Sequence, residues 1–334
     1  MKVDALLAPD LSSVPSEAAA LEAAGYSGVQ TVETSNDPFF PLLLAAEHSE
    51  RLELTTAIAV AFARNPVSLA HIGNDLNAFS NGRFILGIGS QIRAHIERRF
   101  SMPWSHPAAR MREFIAAMQA VWGNWYQGEP LNFRGEFYQH TLMTPAFSPK
   151  PSTAGPPRVF LAAVGPLMTQ VAADLCEGML VHPLTSVKYL REHTLPVIEA
   201  GLRQRGLSRA DFELCHGMFV VSGATEEAFR ESRRAVCERI AFYASTPAYR
   251  AVLETHGWGE LQPELNKMSK EGRWTEMGKL VSDEMLNTFA VVGEPEQIVP
   301  KIRERFGGLI DRVTLDFSFA PAAARAGLIR QLAA

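Results

Sequence analysis

The sequence predicts a (β/α)8 barrel of the TIM type, with a helical insertion after strand seven. Three observations carry this expectation. Short apolar runs alternate with helical stretches along the whole chain. The segment from Leu54 to Gln91 reads as one complete strand–helix–strand unit, which implies parallel strands and a right-handed crossover. No linker or change of composition divides the chain, so residues 1–334 read as one domain, with an insertion at about 245–289.

The elements follow in order. Lys2 to Ala8 is strand one, and Pro15 to Ala24 is an alanine-rich helix closed by Gly25. Gly28 to Glu33 is strand two, and Pro38 to Ser49 is the second helix. Leu54 to Val60 is apolar with two threonines and no charge, as a strand buried on both faces requires. Pro66 suits the first position of a helix, because its missing N–H costs nothing there. Leu69, Ile72, Leu76 and Phe79 recur at helical spacing before the stop at Asn81-Gly82. Arg83 to Ile88 is strand four. Ile92 to Pro107 reads as a long loop, and Pro107 to Trp125 as an amphipathic helix. Leu131 to Gln139 reads as a hairpin turning at Arg134-Gly135, before a proline-rich connection. Arg158 to Val164, Met179 to His182, Phe212 to Ser222 and Arg312 to Phe317 supply strands five to eight. A helix from Thr185 to Arg205 follows strand six, and a polar helical stretch from Ser245 to Met285 follows strand seven.

The totals exclude several classes. The chain has 334 residues, 47% hydrophobic and 20% charged, which suits a globular protein with a large core. A net charge of -4 gives no reason to expect nucleic acid or an anionic membrane as partner. Cys176, Cys215 and Cys237 lie far apart, an odd count that argues against a disulfide framework. Met1-Lys2-Val3-Asp4 carries an acid where a signal sequence would be apolar, and no run approaches the ~20 residues of a membrane span. The expectation is a reduced, cytoplasmic protein acting on a small molecule.

In a (β/α)8 barrel the site lies at the C-terminal ends of the strands. Glu33, the Ala57–Val60 region, Ser90-Gln91, Gly165-Pro166, His182-Pro183 and Phe317-Ser318 therefore become the residues of interest. Gly87-Ile88-Gly89 opens like a dinucleotide fingerprint, but Ile92 stands where the third glycine belongs; glycines admitting close packing are the plainer alternative. Gly165-Pro166-Leu167-Met168 fits a phosphate site at a helix start, where free N–H groups and a positive dipole end meet, or an ordinary helix start. Glu33 could exchange a proton or hydrogen bond with a ligand, or cap its turn. His182 could touch a ligand or bond to backbone. His95, Glu97, Arg98 and Arg99 form either a solvated cluster or a lid that meets an anion. The histidines lack metal-ligand spacing, and no GxSxG elbow is present.

Beyond these patterns, Arg64-Asn65-Pro66, Ser80-Asn81-Gly82-Arg83-Phe84, Leu86-Gly87-Ile88-Gly89 and Phe100-Ser101-Met102-Pro103-Trp104 resemble the bacterial luciferase-like superfamily. So do Arg112-Glu113-Phe114, Ala162-Ala163-Val164-Gly165-Pro166, Glu177-Gly178 and Ala290-Val291-Val292-Gly293-Glu294-Pro295. The run Gln91 to Trp104 and the DPFFP after strand two most resemble the branch that uses the deazaflavin coenzyme F420 rather than FMN. The resemblance implies a non-proline cis peptide at Ala57–Ile58, forming a bulge behind the deazaflavin ring. It implies that Ser90 contacts the cofactor tail and that Gly165, Pro166 and Met168 hold its phosphate. Gln91, Val164 and His182, at neighbouring strand ends, complete the candidate cofactor contacts.

The chain departs from relatives that oxidise alcohols or sugars. Thr34 stands where they carry a histidine after the acid, and Ile92 where they carry a glutamate. Glu177 replaces the usual aspartate before Gly178. The implied activity is hydride transfer to an unsaturated carbon or imine, with Glu33, His95 or water as proton source. An FMN-dependent monooxygenase and a flavin-binding protein without turnover are the alternatives, and a homodimer is implied by resemblance.

Overall fold

The apolar runs become eight parallel strands that close on themselves. In the computed structural model, which describes residues 1–334, they are β1 (Lys2–Leu6), β2 (Gly28–Thr31), β3 (Glu53–Thr56), β4 (Phe84–Gly89), β5 (Arg158–Ala163), β6 (Gly178–Val181), β7 (Glu213–Gly217) and β8 (Arg312–Thr314). Each pairs with its neighbours in chain order, and β8 closes the ring by pairing with β7 and β1, with Val3 opposite Val313. This is a TIM barrel.

The helices are α1 (Val14–Ala24), α2 (Phe39–Glu47), α3 (Pro66–Phe79), α4 (Arg93–Arg98), α5 (Pro107–Gln127), α6 (Pro166–Leu175), α7 (Leu195–Gln204), α8 (Glu226–Ala244), α9 (Leu261–Lys270), α10 (Asp283–Phe289), α11 (Pro295–Phe306) and α12 (Ala322–Ala333). Their ends follow the sequence signals. Gly25 closes α1 in the left-handed region at φ 97°, and the Asn65 side chain caps α3 by accepting from the Val67 N–H.

The main core is the shell between strands and helices. Outward residues such as Val3, Val29, Leu54, Leu86, Leu161 and Val313 pack against Val14, Leu42, Leu69, Phe114 and Ile302. Alternation along the strands leaves the other face for the barrel interior. Its N-terminal end is filled by charge. Arg312 is fully buried and donates to Asp4 (2.7 Å), Glu53 and Glu213 (3.3 Å). Lys2 and Arg158 reach the same two glutamates. Burial alone would raise the Glu53 carboxyl, but Arg312, Lys2 and Arg158 overcome it and hold the group down to about 2.

Four local features differ from the sequence reading. The fourth loop contains the short helix α4. The hairpin pairs Phe133–Arg134 with Gln139–His140, so its turn spans the residues between. The helix after β6 begins with the turn Val187–Tyr189 and a π segment, Leu190–Thr194, before α7; Pro196 has no N–H to give the preceding turn, and the ladder loosens there. The expected strand seven is broken at Met218. Phe219–Val221 leaves the barrel and pairs in parallel with Ala290–Val292. The reason is a second apolar cluster, in which Phe219 and Val221 pack with Val236, Ile240, Leu265, Met285 and Phe289. Between Ser245 and Phe289 the chain is largely helical. No helix is long and apolar enough to cross a membrane.

Candidate active site

The C-terminal mouth is open. Asp4 on β1 is fully buried, yet Leu6, two residues on and facing the same way, is 54% exposed. Val32 and Ile92 are also exposed at this rim. Apolar side chains left wet at a barrel mouth mark a place for an apolar ligand face.

One wall is the end of β3. The Ala57–Ile58 peptide bond is cis, where the resemblance located it. The chain then jogs, and Ala59–Val60 pairs with Ile88–Gly89. The jog presses on β4. A Cβ on Gly87 would lie 1.8 Å from the Thr56 carbonyl oxygen, and one on Gly89 would lie 2.7 Å from Ile58 Cδ1. Gly87-Ile88-Gly89 is thus a packing device, not a dinucleotide fingerprint.

Glu33 acts on the same jog. Its Oε2 accepts from the Val60 N–H (2.7 Å) and from Arg64 Nη1 (2.6 Å). Both side chains are largely buried, and Arg64 also reaches Asp37 (3.3 Å). A carboxylate held by a guanidinium and a backbone amide positions the segment after Ala57–Ile58.

A second wall, two strands along the ring, is the start of α6. Gly165 is its N-cap in extended conformation, with Pro166 as the first helical residue. The N–H groups of Leu167 and Met168 fall in the first turn, where a helix supplies no acceptor. A Cβ built on Gly165 meets nothing within 4 Å, so the space in front of the helix start is free. The Val164 carbonyl accepts from the Tyr189 hydroxyl (3.2 Å).

His182 stands beside this cradle. Its ring stacks on Tyr249 (4.2 Å, 22°) and meets Tyr243 edge-on (4.6 Å). Nδ1 accepts from the Leu184 N–H (3.1 Å), which puts the ring proton on Nε2. Burial, helped by His216, pulls His182 down to about 3, so the imidazole is neutral. Burial pushes the Tyr249 hydroxyl up to about 12.

The fourth loop forms the remaining side. Ser90 Oγ donates to the Gln91 carbonyl (3.1 Å), and Gln91 adopts the left-handed region at φ 59°. On α4, Arg93 pairs with Glu97 while His95 is exposed. Arg99 donates to the Thr34 carbonyl and stacks over Phe100. The charge cluster therefore ties the fourth loop to the second. No hydrogen bond joins His95 to Glu33. Sequence reasoning missed Arg64, Tyr243 and Tyr249; only the Arg64-Asn65-Pro66 run carried a signal.

The family model described as luciferase-like monooxygenase matches residues 3–312. The chain belongs to that family. This luciferase-like chain is 51% identical over 313 residues to an uncharacterized Mycobacterium tuberculosis protein, Rv1360, covering 94% of this chain and 92% of that one. It is 26% identical over 288 residues to the 5,10-methylenetetrahydromethanopterin reductase of Archaeoglobus fulgidus, covering 84% and 81%. Its fold resembles the coenzyme F420-dependent tetrahydromethanopterin reductase of Methanopyrus kandleri, with a TM-score of 0.78 at 21% identity over 99% and 96% of the two chains.

Proposed function

We propose that this luciferase-like protein is an oxidoreductase that transfers a hydride between coenzyme F420 and a small organic substrate, reducing an unsaturated carbon or an imine. The observation that carries the reading is the presence, at one open mouth, of a free helix-start cradle at Gly165 together with the exposed apolar side chains Leu6, Val32 and Ile92. The likeness to a methylenetetrahydromethanopterin reductase supports the direction of transfer.

The residues present fit the cofactor. The free space at Gly165 suits a phosphate, and the N–H groups of Leu167 and Met168 would hold it. When bound, the deazaflavin supplies a two-electron hydride carrier. Ala57 and Ile58 would back its ring. Ser90 and Gln91 would meet the tail, beside Val164 and Pro166. His182 is neutral and keeps its Nε2–H as a donor that does not depend on pH near neutrality. The protein's share of catalysis is orientation and exclusion of water, the latter by the fourth loop that Arg99 ties down. With Glu33 engaged by Arg64, His95 on α4 remains the side chain free to deliver a proton.

Titration of the purified protein with F420 and with FMN, followed by fluorescence, tests the reading. The expected result is F420 binding, and then oxidation of the reduced deazaflavin by one member of an acceptor panel. Tight FMN binding without F420 binding overturns it in favour of an oxygen-using monooxygenase, the reading favoured by the description of the family model.

A further inference from the structure

A second concavity of about 600 Å3 lies on the flank of the barrel, between the turn that leads into α7, the end of α10, the strand Ala290–Val292 and α11. Four cations line it: Lys188, Arg191, Lys301 and Arg305. Their bonds go to neutral oxygens. Lys188 Nζ donates to the Thr255 carbonyl (2.8 Å), Lys301 Nζ to the Val292 carbonyl (2.8 Å), and Arg305 Nη1 to the Ala290 carbonyl (2.7 Å). Arg191 makes no bond within the chain. No carboxylate oxygen lies within 4.0 Å of any of the four.

Arg64, Arg112, Arg158, Arg209 and Arg312 each sit against an acid, whereas Arg83, Arg110 and Arg205, like the cations here, bond only to neutral oxygens. Here four such cations converge on one concavity. Here Glu304 is the one lining carboxylate, and Glu192 and Glu284 stand near His256. Arg305 is partly buried yet uses one of its five N–H donors. Lys188, Arg191 and Lys301 are exposed and Arg305 is partly buried, so four like charges converge on one concavity with no acid in contact, a positive field that favours an anion. A guanidinium fork matches phosphate geometry, and the cavity is large enough for an organic group beside it.

We propose that this flank cavity binds a small phosphorylated ligand, at a site separate from the barrel mouth. The recognised chemistry is a phosphate group carrying at least two negative charges. The site does not depend on which cofactor occupies the mouth.

Calorimetric titration of the whole protein with inorganic pyrophosphate tests the proposal. In Gly165→Val, whose cradle at the mouth is blocked, the expected result is one site, weakened by salt. Arg191→Gln should weaken it about tenfold, the size of one lost charge-assisted bond. Arg191 holds nothing in the fold, so this variant should melt like the wild type; Lys301→Gln provides an independent second variant. The binding that Arg191→Gln and Lys301→Gln weaken should be the same with glycine or valine at position 165. Absence of binding at millimolar pyrophosphate overturns the proposal. So does binding that survives Arg191→Gln and Lys301→Gln but is lost in Gly165→Val, because the anion would then sit in the mouth.

Discussion

Removing the Glu33 carboxylate should loosen the wall of the mouth more than it changes any proton transfer. Glu33→Ala deletes two contacts on one oxygen, 2.7 Å to the Val60 N–H and 2.6 Å to Arg64. The glutamate side chain is 8% exposed and the arginine 16%. An orphaned, largely buried donor costs about 1–3 kcal/mol. Breaking a buried ion pair by removing one partner costs about 3–5 kcal/mol. Arg64 keeps some solvent and its contact with Asp37, so the lower end of each range applies, and the sum should be about 4 kcal/mol. Urea unfolding of Glu33→Ala, Arg64→Ala and the double variant measures it. The double variant should recover about 1–2 kcal/mol, because no unpaired charge remains in it. F420 affinity should fall with Glu33→Ala, since Val60 follows directly on the jog. A single variant within about 0.5 kcal/mol of wild type, with additive behaviour in the double, would refute the reasoning.

Other perturbations test other parts of the molecule. Gly165→Val should weaken F420 binding without changing the melting temperature, since the added Cβ meets no protein atom and the extended backbone accepts any residue; equal losses in fluorescence titration and melting would contradict it. Gly87→Ala should destabilise by about 3 kcal/mol or more, through overlap with the Thr56 carbonyl, and an unchanged urea midpoint would show that β3 and β4 can part cheaply. The folded-state pKa of Glu53, about 2, lies below its ordinary 4.5, so its contribution is complete above pH about 4.5 and is lost as pH falls toward 2; the shift corresponds to about 3 kcal/mol. Glu53→Gln should flatten that acid dependence between pH 6 and 3, and identical profiles would remove the effect from Glu53. His182 should keep an unprotonated Nδ1 and a protonated Nε2 by nitrogen NMR from pH 8 to 5; because its folded pKa is depressed, it favours the unfolded chain as pH drops below 6.5, and a ring titrating near 6.5 would contradict its burial.

The strands were legible because each turns one face to a helix, and that face must be apolar. Val29, Leu54, Leu86 and Leu161 announce themselves in this way. The inner face did not announce itself. Asp4, Glu53, Arg158, Glu213 and Arg312 look like surface charges in the sequence, and closure of the ring alone brings them together. Glu33 was visible at a strand end, but its partner Arg64 lies 31 residues away, and the pairing depends on how β3 jogs. Phe219 and Val221 continue an apolar run, so nothing in their pattern marks them as leaving the barrel for a second cluster. Gly165-Pro166 was readable as a helix start because its geometry is set by the two residues themselves.

The fit between Gly87 and the Thr56 carbonyl divides the molecule into a part that resists redesign and a part that invites it. Any side chain at Gly87 would force two neighbouring staves apart, so this part of the chamber floor cannot be retailored by a single change. The roof has no such constraint: Thr34, Asn36, Ile92 and His95 are exposed and belong to segments outside the ring of staves. Laboratory evolution toward new acceptors should therefore accumulate its useful changes in the roof and leave the floor untouched.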